Sequence, residues 1–267
     1  MNLSFLANAS YVKNEIKNLG NQTGYIDKES LPTLGTVSRN QNGYPIGYFF
    51  GYKAIGVFQT QEEIDNYISP ATGKPIQPNA VPGDTKFEDL NGDGVISDDN
   101  EDRTMIGKPN PDWIVGLTVA ADWNGFDLSA FFQGSFGADV FDALRRYELA
   151  AVNYTSDALE RWTGPGTSNS MPRIVLGDTP KNFRPSTLLV HDASFLRLRN
   201  LQVGYTLPAQ LTRKAYIQRL RFYASFDNLL TITGYKGMDP EIGSTMGIDK
   251  GVYPQARVYT FGLNLTF

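Results

Sequence analysis

The richest set of oxygen ligands in the chain is the run Asp89-Leu-Asn91-Gly-Asp93-Gly94-Val95-Ile96-Ser97. It offers side-chain oxygens at positions 1, 3 and 5, a glycine at 6 for a sharp turn, and a backbone carbonyl at 7. That is the first half of an EF-hand-type calcium loop. Position 12 is Asn100, where a bidentate carboxylate is expected, so Asp98, Asp99 or Asp102 would have to close the shell. The expected ligand set for Ca2+ is therefore Asp89, Asn91, Asp93, Val95 and Ser97, closed by one of these three carboxylates. A hard cation there would offset the charge of Glu88, Asp89, Asp93, Asp98, Asp99, Glu101 and Asp102 and stiffen the loop. The alternative is an acidic, turn-rich loop that binds nothing.

Little else in the sequence points to catalysis. Cysteine is absent, which excludes thiolate metal sites, Cys nucleophiles and disulfides. His191 is the only histidine, so a His-based triad or multi-His site is not expected, and His191 reads as a loop or strand-edge residue. The carboxylate pairs Asp98-Asp99 and Glu62-Glu63 lie in polar segments and read as solvated charge. Arg145-Arg146 read as loop charges, Arg197 and Arg199 as residues facing a lumen. Tyr147, Tyr154, Trp162 and Tyr235 could stack on a ligand or pack the loops together, and substrate residues stay unassigned. With 24 basic against 28 acidic residues and no basic block, nucleic acid is not an expected partner.

The elements that would carry these residues are strands. In the last eleven residues, Tyr259, Phe261, Leu263, Leu265 and Phe267 alternate with Thr260, Gly262, Asn264 and Thr266. Leu220, Phe222, Ala224 and Phe226 alternate with polar residues in the same way. Trp113 to Trp123 and Phe126 to Phe136 are two alternating runs separated by Asn124-Gly125, the strongest short-range hairpin signal. Between Leu198 and Leu201 the apolar set changes parity, which predicts a β-bulge near Arg199-Asn200. Further strands are expected at Leu3–Val12 and at Ile46–Phe58, the latter with aromatics on both faces. Asp139–Ala150 and Thr155–Trp162 read as short loop helices.

Seven strands of about 10–13 residues result, near the 9–11 that cross a bilayer at a tilt. Short turns (Asn124-Gly125, Pro208–Gln218) alternate with long connections (59–112, 137–193, 233–256), the pattern of outer-membrane barrels. The same count places residues 13–45 on the short-turn side, as an unusually long connection there. No run is apolar enough for a membrane helix, and the N-terminus lacks the pattern of a signal peptide.

Six stretches resemble the SusC/RagA-type TonB-dependent transporters: GYPIGYFFGYKAIGVFQTQEEI (43–64), PGDTKFEDLNGDGVI (82–96), DRTMIGKPNPDW (102–113), DASFLRLRNLQVGYTLP (192–208), LRFYASFDNLLTITGYKGMDPE (220–241) and YPQARVYTFGLNLTF (253–267). They occur in the family's order and span nearly the whole chain. The resemblance implies an all-β fold, a membrane-spanning antiparallel barrel of the 22-strand type. Residues 1–267 would be its C-terminal portion, with the plug domain and N-terminal strands absent. In that family's pattern an Asp precedes the Arg matched by Arg103, which selects Asp102 and implies a lengthened loop.

The function implied is import of a glycan or peptide across the outer membrane, energised by TonB through the missing N-terminal part, with a SusD-like surface lipoprotein over the loops. This portion would supply wall and loops, in contact with outer-membrane lipid, and no enzymatic activity. One rival is a secreted, calcium-stabilised β-sandwich carbohydrate-binding module, which would need a polar outer face. Another is a small complete barrel with enzymatic activity, which would need an even strand count and a nucleophile with its base.

Overall fold

The computed structural model describes residues 1–98, 101–145, 153–242 and 246–267. Its backbone is a six-stranded antiparallel sheet: β1 (Asn2–Tyr11), β2 (Trp113–Trp123), β3 (Phe126–Phe136), β4 (Phe195–Thr206), β5 (Arg219–Thr233) and β6 (Val258–Thr266). Each strand pairs only with its neighbours in the chain, an up-and-down wall.

The register puts the alternating apolar residues of all six strands on one face. Phe5 lies opposite Val119, Val119 opposite Ala130, Ala130 opposite Leu201, Leu201 opposite Phe226, and Phe226 opposite Tyr259. Trp113 and Trp123 mark the two ends of this belt on β2. The ten residue steps between them span roughly 33 Å of strand, which at a tilt of about 40° projects to about 25 Å, the height of a barrel's apolar band. No described helix is long and apolar enough to cross a membrane.

Two local devices make this register possible. At Asn124-Gly125 both residues take positive φ (46° and 85°), the type I′ geometry whose twist matches antiparallel strands. At the parity change, Phe131 pairs with Asn200 and Phe132 with Leu198, so Arg199 is the extra residue of a bulge, as its sequence predicts. Arg199 and Asn200 thereby both reach polar partners, while Leu198 and Leu201 both stay in the apolar belt.

The wall differs from expectation in one strand. Ile46–Phe58 is not part of it but breaks into two short strands, Tyr48–Tyr52 and Ala54–Val57, of which the first is buried at every position. Apolar residues on both faces suit a strand covered on both sides, not one with lipid on one face and a polar lumen on the other. The wall count falls from seven to six, and residues 13–45 join one long connection, 12–112. With that change all three long connections, 12–112, 137–194 and 234–257, lie at one end of the sheet, and the short turns at the other.

The buried core sits in these connections. Val37, Phe49, Phe141, Leu189 and Ile248 form one cluster drawn from all three, and Ala138, Val140, Ala193 and Tyr235 a second. The short strand Asp139–Asp142 joins the second and third connections by pairing with Val190–Asp192 and, in parallel, with Ile248–Asp249. A helix was expected from Asp139, but Val140 and Phe141 face opposite sides of a buried strand between two apolar clusters. The rest of that expected helix, including Arg146 and Tyr147, lies outside the described residues. The second expected helix is a short 3-10 turn, Ser156–Glu160, whose Thr155 makes no side-chain cap.

Candidate functional site

Where the six strands meet the folded connections, the polar face carries a network of charges. Arg197, on β4, is almost wholly buried. Its guanidinium donates to Thr231 Oγ1 (2.9 Å), Glu241 Oε2 (2.9 Å) and Asp239 Oδ1 (2.5 Å). Arg199 donates to both oxygens of the same Glu241 (2.6 and 2.7 Å) and to Gln133 Oε1 (2.7 Å). Asp239 in turn accepts the backbone N–H groups of Glu241 (2.9 Å) and Gln255 (2.9 Å). Burial alone would raise the Asp239 carboxyl, but these N–H groups and Arg197 hold it below the usual carboxylate range. Two arginines on the wall thus clamp the first limb of the 234–257 connection, and Asp239 ties it to the second through the Gln255 N–H. The sequence placed Arg197 and Arg199 on the lumen face. Their partners, some forty residues on, carried no local signal.

Lower on the same face, Arg221 bridges to Asp127 (2.5 Å and 2.9 Å) across three strands, and Asn200 reaches Asp227 (2.7 Å) and Ser225 (3.0 Å). This polar lining is what a water-filled lumen requires.

The acidic loop closes on itself. Asp89 accepts the N–H groups of Gly92 (2.8 Å) and Gly94 (2.9 Å), the fourth and sixth positions of the motif. Asp93 accepts from Val95 N–H (2.8 Å), and Asn91 donates to Asp93 (3.1 Å) and Glu101 (2.9 Å). Asp102 is fully buried at the base, accepting from Leu90 N–H (3.1 Å) and Ser97 N–H (2.9 Å). The Ser97 carbonyl takes the Tyr52 hydroxyl (2.7 Å). Asp98 turns outward to Lys181, and Asp99 and Asn100 lie outside the described residues. Among the described residues no three acidic side chains converge in a metal-holding group.

The remaining candidates take structural roles. Thr60 caps the short helix Gln61–Asp65: its Oγ1 accepts the Glu63 N–H (3.2 Å), and Glu63 reaches back to accept the Gln59 N–H (2.7 Å). Arg145 pairs with Asp142 (2.8 Å) and Asp157 (2.6 Å). Trp162 donates to Gln59 (3.2 Å), and the buried Tyr235 hydroxyl donates to Asp249 (2.7 Å), so both aromatics pack the connections. Tyr154 stays half exposed. His191 sits in the short strand Val190–Asp192, its Nε2 at 3.8 Å from Asp142, and burial pushes its pKa down.

Arginines and aromatic rings alternate in a stack that no local sequence pattern announces. The Arg39 guanidinium lies between Tyr25 (4.0 Å) and Phe50 (3.7 Å), Arg103 between Phe50 (4.3 Å) and Tyr52 (5.7 Å), and Arg184 between Tyr52 (4.8 Å) and Phe87 (4.9 Å). The F-F-G-Y run supplied two of the rings, but only the fold brings the three arginines to them.

No family model matches the chain. It is 34% identical to TonB-dependent receptor P3 of Formosa agariphila, over 85% of this chain and 23% of that protein. It is 30% identical to TonB-dependent receptor SusC of Bacteroides thetaiotaomicron, over 97% of this chain and 24% of that one. Among solved structures, one described as the RagAB peptide transporter superposes with a TM-score of 0.73 at 27% identity, covering 99% of this chain and 27% of its counterpart. The chain thus spans about a quarter of the length of the relatives it matches.

Proposed function

This chain is a SusC/RagA-type TonB-dependent receptor sequence, and from that premise we propose that it supplies wall and outer loops to an outer-membrane importer of glycans or peptides, energised by TonB. The observation that carries the reading is the two-faced sheet. Its apolar face is exposed, with Phe5 at 66% and Phe261 at 76%, while its polar face holds the charges described above. An exposed apolar face of this extent needs lipid against it. The β-sandwich alternative is not favoured, because a secreted module requires a polar outer face.

In this reading residues 1–267 are the C-terminal part of the barrel, and the outer edges of β1 and β6 pair with strands that this chain does not supply. A SusD-like lipoprotein covers the folded connections, and the TonB complex acts through a plug encoded elsewhere in the receptor. The receptor's role is transport, without catalysis. The test is to express the full receptor in cells and measure uptake of labelled oligosaccharides and peptides with and without an intact TonB system. TonB-dependent uptake and heat-modifiable migration of a membrane-fraction protein are expected. Recovery of this chain as a compact, detergent-free monomer would overturn the reading.

We propose also that the 89–102 loop takes calcium, through Asp89, Asn91, Asp93 and Asp102, the Val95 carbonyl and Ser97. The N–H groups of Gly92 and Gly94 on Asp89, and the drawing together of both loop ends by Asp102, support it. Elemental analysis of the purified receptor is expected to find retained calcium, and chelation to expose the loop to protease. Neither happening would sink the idea.

A further inference from the structure

A cleft of about 530 Å³ opens between the first and second connections, lined among others by Gly35, Tyr52, Asp98, Arg103, Lys181 and Arg184. Three cations border it in a chain whose net charge is −4. Arg184 is held rigidly between the Tyr52 and Phe87 rings, and its Nε donates to the Lys181 carbonyl (3.2 Å). Its Nη1 is buried and has no hydrogen-bond partner among the described residues. Asp98 Oδ1 lies 3.8 Å from it, beyond hydrogen-bond reach, and the Tyr52 hydroxyl interacts with the same guanidinium. Asp98 itself is 66% exposed and leans on Lys181 from the solvent side. The other carboxylate of the cleft, Asp178, is occupied by the N–H groups of Asn182 (2.8 Å) and Phe183 (2.9 Å).

We infer that this cleft binds an oxyanion, a carboxylate or sulfate carried by the ligand, and that Asp98 stands in for that group when the cleft is empty. The argument is one of incomplete satisfaction. A preorganised guanidinium with an unused amino group is a strong donor to a carboxylate or sulfate. Stacking between two rings has already removed most of its side-chain freedom, so binding costs little further ordering. Asp98 makes only a long contact to it from an exposed position, and such an exposed pair is weak enough to be displaced. Gly35 leaves open space on the opposite side, with nothing within 4 Å of where its Cβ would stand.

The inference adds a ligand chemistry to the import reading, but its test does not need transport. The full receptor in detergent is titrated calorimetrically with sodium sulfate, glucuronate and glucose. Sulfate and glucuronate are expected to bind and to compete with each other, and glucose not to bind. R184Q is expected to weaken both anions about tenfold or more. K181Q, at a half-exposed side chain that the fold does not depend on, is expected to weaken them about threefold, and D98N to tighten them by a similar factor. If glucose binds as well as glucuronate, or if neither K181Q nor D98N moves the affinity, the inference falls. A receptor that binds the anions but imports nothing would refute the transport reading and leave this one standing.

Discussion

The wall and the connections above it use the same aromatic residues in opposite ways. Phe5 and Phe261 in the wall are 66% and 76% exposed, whereas Phe49 and Phe141 in the connections are 0% exposed. In the wall the backbone ladder holds the strands together, and apolar side chains on the outer face leave the protein and meet lipid. In the connections the ladders are short, and burial of side chains does the holding. The two regions should therefore fail separately, and the charges of Arg197 and Arg199 are where they are joined.

The largest effects are expected in the connections and at that join. Phe49→Ala should cost about 3–5 kcal/mol and open the connections to protease, while heat-modifiable migration of the full barrel is retained. Phe261→Ala should leave their protease resistance unchanged, and the comparison breaks if it does not. Arg197→Ala leaves Asp239 without its buried cation and Glu241 with Arg199 alone, a loss of roughly 3–5 kcal/mol, and limited proteolysis should then cut selectively within 234–257.

Leu117→Arg places a charge near the middle of the apolar belt, and about 2–4 kcal/mol is the expected cost. Folding into bilayers should suffer, with no local change in the connections once folded. A smaller, pH-dependent effect belongs to Asp239. Its folded pKa is depressed, so its contribution is fully present above the unfolded value of about 3.9 and lost as the pH falls through the lower folded value. Protease sensitivity of 234–257 should rise only in that acid range, and Asp239→Asn should remove the step.

Much of the wall was legible because its information is local. An alternation of period two needs only neighbouring residues, and Asn124-Gly125 carries its turn geometry in two side chains. The bulge was legible for the same reason, as a parity change within one strand. Ile46–Phe58 misled because its length and β-propensity suit a wall strand, whereas its aromatics on both faces require cover on both sides. At Asp139–Asp142 a partly helical pattern gave way to pairing with Val190–Asp192 and Ile248–Asp249, partners far away in the chain. The acidic loop was legible as a motif, and the Asp89 turn conforms to it.

The sequence by itself determined the all-β class, the two faces of five wall strands, the hairpin at Asn124-Gly125, the lumen side of Arg197 and Arg199, and the likeness to a receptor family. Only the tertiary structure decided which long connections share a core, which carboxylates clamp the two arginines, and that three arginines stack between aromatic rings, two of them lining an open cleft. The physical reason is range. Backbone alternation and turn chemistry act over a few residues, while burial and charge pairing join residues that the chain keeps forty to more than a hundred positions apart.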